Sequence, residues 1–95
     1  MNFELSGQEP ADAADCFALG IICASGQGEH AVDMIEAHKW FNIAAARGCS
    51  GAVQMRREIA EQMSDSEIGL AQRAARDWLT SHPVGQPAPV IAIAA

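Results

Sequence analysis

The stretch Asp33-Met-Ile-Glu-Ala-His-Lys-Trp-Phe-Asn-Ile-Ala-Ala-Ala-Arg-Gly48 decides the fold. Its apolar side chains recur at the i, i+3, i+4, i+7, i+8 spacing of one helix face: Ala37, Trp40, Phe41, Ala44 and Ala45. Asp33 and the Glu three residues later have the spacing of a capping box, and a glycine follows the last cation. The stretch therefore predicts one complete helix with its own start and stop signals.

Three further helices are predicted around this one. The first runs from about Pro10 to Ser25, and Gly26 suits its left-handed exit. The third is expected over 50–63, with Ser50 as its N-cap. The fourth is expected over 64–81, where a Ser-Asp-Ser-Glu capping box opens it. Because the connections are short, successive helices should lie roughly antiparallel, which predicts an all-α fold of two helical hairpins.

The composition of the 95 residues agrees with a helical domain. Nineteen residues are alanine, the best helix former, whereas Leu, Ile, Val and Phe together also number nineteen. A chain of this length supports a single core, so we expect one domain over residues 1–82. Twelve acids against six bases give a formal charge of −6, which argues against attraction to nucleic acid or to an anionic membrane.

The remaining residues, 83–95, read as a Pro/Ala-rich apolar tail. The prolines interrupt it, and its apolar end is too short to span a bilayer. The first ten residues have neither the basic region nor the apolar region of a secretory signal. Since three cysteines also form an odd set, we expect reduced thiols and a cytoplasmic location.

An internal repeat underlies the helices, because Ala37-x-x-Trp40 recurs as Ala75-x-x-Trp78, thirty-eight residues later. Residues Ala14 to Ala52 resemble one Sel-one-like repeat, a relative of the tetratricopeptide repeat. The motif positions matched are Leu19, Gly20, Gly26, Gly28, Asp33, Ala37, Trp40, Phe41, Ala44, Ala45, Gly48 and Ala52. The second hairpin, to Leu79, looks like a degenerate unit. The resemblance implies a short right-handed α/α solenoid.

The second unit departs from the repeat pattern. Arg56 and Arg57 stand where Leu-Gly would be expected. A guanidinium cannot replace that glycine where two helices cross closely, so the regular array should stop there. Arg56 and Arg57 also belong to a basic cluster with Arg73 and Arg76, which acidic neighbours neutralise. We expect this cluster to be a solvated face rather than a nucleic-acid reader.

Thiols and imidazoles are the candidate metal ligands, at Cys16, Cys23, Cys49, His30, His38 and His82. They show no C-x-x-C or H-x-x-x-H spacing, and Cys16 and Cys23 lie about 10 Å apart along one helix. We expect Cys16 and Cys23 to face the second helix as core thiols and His38 to face solvent. No nucleophile elbow or phosphate loop occurs, so neither an enzyme, a metal nor a cofactor is predicted.

The candidate binding surface is the α1 strip, defined as Ala14, Phe17, Ile21 and Ala24 of the first helix. We expect Phe17 and Ile21 to lie off the core of the hairpin. In related repeats the inner, concave side on which the strip should lie docks extended peptides or partner helices. Expected occupants are another protein, a second copy of the chain, or the chain's own apolar termini. The predicted function is therefore a non-catalytic adaptor or scaffold. The alternatives are a small Cys/His-dependent metal-binding protein or enzyme, and a self-associating structural protein.

Overall fold

The computed structural model describes residues 12–28 and 31–83, and no strand occurs in these ranges. Four helices follow one another in the chain: α1 (Ala13–Ser25), α2 (Met34–Ala46), α3 (Ser50–Ala60) and α4 (Asp65–Ser81). The prediction of an all-α domain with four helices is confirmed. Residues 84–95 of the predicted tail and the predicted first residue of the first helix, Pro10, lie outside the described residues.

The helix ends are set by local capping groups. Asp12 is the N-cap of α1, and its side chain accepts a hydrogen bond from Asp15 N at 2.9 Å. The helix therefore starts at Ala13, later than predicted. Gly26 ends it in the left-handed conformation, at φ 68°, and donates its N–H to Ile22 O.

Capping of the other three helices follows the sequence in most details. Asp33 accepts from Glu36 N at 3.1 Å, although Glu36 turns its own carboxylate to Lys39. Ser64 and Glu67 form both bonds of the predicted capping box. The third helix differs from the prediction, because Cys49 rather than Ser50 occupies its N-cap and because it ends at Ala60 rather than Met63.

Helix α2 is the centre of the domain, since α1, α3 and α4 each pack extensively against it. The end of α1 lies at the start of α2, where Asp33 N donates to Cys23 O at 2.8 Å. The first predicted hairpin is therefore present as a close pair. The second predicted hairpin, of the third and fourth helices, is not present as a close pair, because α3 and α4 each pack extensively against α2 and not against each other. Among the described helices, none combines the length and the apolar composition that crossing a bilayer requires.

Candidate functional site

The motif residues of the first helix pair form the inside of the domain. Gly20 lies beneath Phe41, and a Cβ built at this glycine would come 2.5 Å from Cε1 of that ring. The helices α1 and α2 therefore approach closely at Gly20, and the group that faces this glycine is the ring of Phe41. The buried motif positions are Leu19, Gly20, Ala37, Trp40, Phe41, Ala44, Ala52 and Ala75, while Ala45 and Trp78 are partly buried.

The remaining motif positions shape the turns. Gly26, Gly28 and Gly48 all have positive φ, at 68°, 63° and 104°. At Gly28 and Gly48 a Cβ would meet no atom within 4 Å, so the backbone conformation, and not space, favours glycine there. Asp33 caps α2, as described above. Each motif position therefore has a local structural role in this chain.

The two tryptophans of the internal repeat contact each other. The rings of Trp40 and Trp78 meet edge to face, with centroids 5.4 Å apart. Trp78 also stacks on the ring of His82 at 4.0 Å, and the guanidinium of Arg47 lies over Trp78 at 5.0 Å. Arg47 further donates to the backbone carbonyl of His82. The two tryptophans of the recurring Ala-x-x-Trp pattern therefore connect the last turn of α4 to α2.

The α1 strip is neither fully exposed nor fully buried. Ala14 is exposed, whereas Phe17, Ile21 and Ala24 are half-buried and pack against the core from one side. The rings of Phe17 and Phe41 are tilted by 52° with centroids 5.5 Å apart. The expectation that Phe17 and Ile21 lie off the core of the hairpin is therefore wrong, since both pack against the core and Phe17 contacts the ring that lies over Gly20.

The thiols of Cys16 and Cys23 are buried against α2, as predicted, and Cys49 is half-buried. Burial raises the pKa of Cys16 and of Cys23 to about 11, and nearby carboxylates act in the same direction. These two thiols are therefore protonated at neutral pH and are poor nucleophiles. Within residues 12–28 and 31–83, His, Cys, Asp and Glu form no group of three that could hold a metal ion; His30 lies outside these ranges.

His38 and Arg56 lie in the interior, which corrects two expectations. His38 was expected in solvent but is 1% exposed, and burial followed by the nearby charge of Arg56 lowers its pKa. Arg56 was expected on a solvated basic face but is 8% exposed, while Arg57, Arg73 and Arg76 are exposed. The predicted apolar stripe of α2 assumed a single buried face and did not include His38. His38 is buried because three helices, and not one, pack around α2.

A buried hydrogen bond joins α2 to α3. The Nη1 group of Arg56 donates to Asn42 Oδ1 at 2.6 Å, and Asn42 is 1% exposed. His38 lies one turn before Asn42 on the same side of α2. We call His38, Asn42 and Arg56 the α2–α3 polar cluster. The sequence carries one signal for it, the arginine in the place of a core leucine.

Comparisons of this chain with family models, with curated proteins and with solved structures found no match. The likeness to Sel-one-like repeats therefore stays a prediction from the motif residues. What the structure adds is the physical role of those residues, above all the packing of Phe41 over Gly20.

Proposed function

We propose that this chain is a non-catalytic protein-interaction module that binds a peptide or a helix of another protein along the α1 strip. The observation that carries the proposal is the position of the strip. Its residues follow a helical spacing beside the buried face of α1, which consists of Cys16, Leu19, Gly20 and Cys23. One side of the strip packs on the core, and the other side is left accessible.

The α1 strip rests on buried residues that hold its side chains in place, which favours binding of a partner without rearrangement of the strip. Phe17 contacts Phe41, which is fully buried, and Gly20 lets that ring lie close to the backbone of α1. Fully burying a side chain such as Phe or Ile contributes about 1.5 to 3 kcal/mol. A half-buried side chain contributes only part of this free energy to folding. A partner that covers the side chain gains the remaining part as binding free energy. A preorganised surface also lowers the entropy lost on binding.

The likeness of the motif residues to Sel-one-like repeats supports the same function, because such repeats are scaffolds for protein partners. The acidic charge favours a partner whose apolar anchors are flanked by basic residues, since complementary charges steer association. Two exposed apolar residues lie outside the α1 strip, Val32 at 56% and Leu70 at 50%, and Leu70 serves as the control.

The test compares Ile21→Asp with Leu70→Asp in affinity capture from the native cell extract, with the captured protein then purified and its affinity measured. Ile21 belongs to the α1 strip and is half-buried, whereas Leu70 lies on α4 and is 50% exposed, and each change adds one charge at an apolar position. We expect a protein that binds wild type and Leu70→Asp with equal affinity but no longer binds Ile21→Asp. Circular dichroism must show the same helicity in all three proteins.

Two outcomes contradict the proposal. If Ile21→Asp and Leu70→Asp bind the same protein equally well, the α1 strip is not the binding surface. If light scattering instead shows a dimer of wild type that Ile21→Asp dissociates, a second copy of the chain covers the strip and the function is self-association. Phe17 is unsuitable for this test because its substitution would also disturb Phe41.

A further inference from the structure

Arg56 is a cation enclosed in the domain without a carboxylate beside it. Its side chain is 8% exposed, and its one hydrogen bond runs from Nη1 to the neutral amide oxygen of Asn42. Its Nε is buried and has no hydrogen-bond partner. Within residues 12–28 and 31–83 the only ion pair is that between Lys39 and Glu36, so no described carboxylate balances Arg56.

The neighbours of Arg56 also have unsatisfied nitrogens. Asn42 Nδ2 and His38 Nδ1 are buried without hydrogen-bond partners. Asn42 Nδ2 and Arg56 Nε are donors only, and a neutral imidazole can donate from Nδ1. The α2–α3 polar cluster therefore holds three buried nitrogens without an acceptor, and it holds a full positive charge.

This arrangement is unfavourable unless an acceptor compensates it. An enclosed charge without an opposite charge destabilises a fold, and replacing it with an apolar side chain of similar volume is often neutral or stabilising. The resemblance to Sel-one-like repeats would place a leucine at this position, and not a charged residue. Arginine here is explained if its guanidinium has a binding role.

We propose that the α2–α3 polar cluster is a docking point for a carboxylate of a partner protein, either an Asp or Glu side chain or a C-terminus. Asn42 holds Nη1 of Arg56, which leaves the guanidinium edge carrying Nε for a planar, two-oxygen acceptor. The proposal requires a carboxylate to approach that edge from the 8% of Arg56 that is exposed. A phosphate is disfavoured, because its dianion would face one enclosed cation in a chain of charge −6.

The docking point differs from the α1 strip and does not depend on the function proposed above. It is tested on the full chain by nuclear magnetic resonance, with sodium acetate as the probe and sodium chloride at equal ionic strength as the reference. We expect acetate to cause a saturable shift of the Arg56 Nε–H and Asn42 side-chain amide resonances. Chloride should cause no saturable shift there.

The matched variants are Arg56→Lys and Arg57→Lys, which keep the charge but remove the guanidinium edge. Arg57 is the exposed neighbour of Arg56. The acetate shift of the Asn42 amide should be lost in Arg56→Lys and unchanged in Arg57→Lys. If Arg56→Lys fails to fold, the acetate titration of wild type still tests whether the cluster binds a carboxylate.

Three results would overturn the proposal. They are the absence of a saturable acetate shift in wild type, an equal shift in the two variants, and a response of the cluster to inorganic phosphate but not to acetate. The last result would identify a phosphate site in place of a carboxylate site.

Discussion

Gly20 is the residue on which the packing of α1 against α2 depends most directly. A Cβ at this position would lie 2.5, 2.6 and 2.9 Å from three atoms of the Phe41 ring, all closer than real contacts allow. Phe41 is fully buried, so its ring has no room to withdraw. We expect Gly20→Ala to destabilise the domain by about 1 to 3 kcal/mol, as overpacking typically does, measured by urea denaturation.

The control for Gly20→Ala is Gly69→Ala in α4. A Cβ at Gly69 would approach only the end of Arg73, at an ordinary distance of 3.6 Å. Alanine in a helix is favoured over glycine by about 0.5 to 1 kcal/mol, so Gly69→Ala should stabilise the domain. If both substitutions stabilise it, the close approach of Phe41 to Gly20 is not present in solution.

His38 makes the stability of the domain depend on pH. Burial, reinforced by the charge of Arg56, lowers the pKa of His38 below its ordinary value of 6.5. Below that pH the unfolded chain binds a proton that the folded domain does not. The free energy of unfolding should therefore decrease as the pH falls below about 6.5, whereas above it His38 is neutral in both states.

The measurement compares wild type with His38→Gln by thermal or urea unfolding, from about pH 7.5 to about pH 5.5, a range above the ordinary pKa of most carboxylates. Glutamine does not titrate, so the variant should lose less stability over this range. The difference between the two slopes is the contribution of His38. Equal slopes would mean that His38 reaches solvent in the folded domain.

The contact between Trp40 and Trp78 joins α2 to α4. Trp40 is 7% exposed, and replacing a buried tryptophan by alanine costs about 3 to 5 kcal/mol. A domain of this length has a total stability of about 5 to 14 kcal/mol. We expect Trp40→Ala to leave the chain largely unfolded or with a strongly lowered Tm, as followed by circular dichroism.

The matched variant for Trp40→Ala is Trp78→Ala, on the other side of the same contact. Trp78 is only half-buried, so its loss should be milder, although the contacts with Arg47 and His82 go with it. Aromatic pairs contribute about 0.5 to 1.5 kcal/mol beyond area burial, which a double-mutant cycle of the two tryptophans should show if each variant folds. A cooperative melt of Trp40→Ala within a few degrees of wild type would contradict the packing of α2 at the centre of the domain.

The burial of the thiols reports on the opening of the whole domain. Cys16 and Cys23 are closed off by α2, and burial raises their pKa to about 11. In the folded protein, iodoacetamide should modify the half-buried Cys49 first. Cys16 and Cys23 should react only when α1 separates from α2, at a rate that increases with denaturant.

Mass spectrometry after timed labelling measures this order. The unfolded chain in denaturant is the reference, because there iodoacetamide reaches all three cysteines equally. A chelator should leave the order and the rates unchanged. If all three cysteines react at one rate in the native protein, α1 is not packed on α2 as described. If a chelator accelerates the labelling, a bound ion contributes to stability.

Local features of the sequence determined the helices of this protein. The capping residues Asp33 and Ser64 and the terminal glycine Gly26 act through hydrogen bonds that reach no more than four residues along the chain. Such signals need no knowledge of the rest of the fold, so the helix order and most helix ends could be predicted. The buried stripe of α2, with Ala37 and Phe41, could be predicted because the helical period alone places these side chains on one face.

Only the tertiary structure decided which other side chains are enclosed. Helical periodicity assumes one neighbour and one buried face, whereas α2 has three neighbours, so His38 and Asn42 are buried outside the predicted stripe. Arg56 is enclosed because α3 turns it towards Asn42, a partner fourteen residues away. Phe17 contacts the core because the Phe41 ring lies over Gly20. Each of these contacts depends on where separate helices lie in space, and no short-range pattern in the chain specifies that.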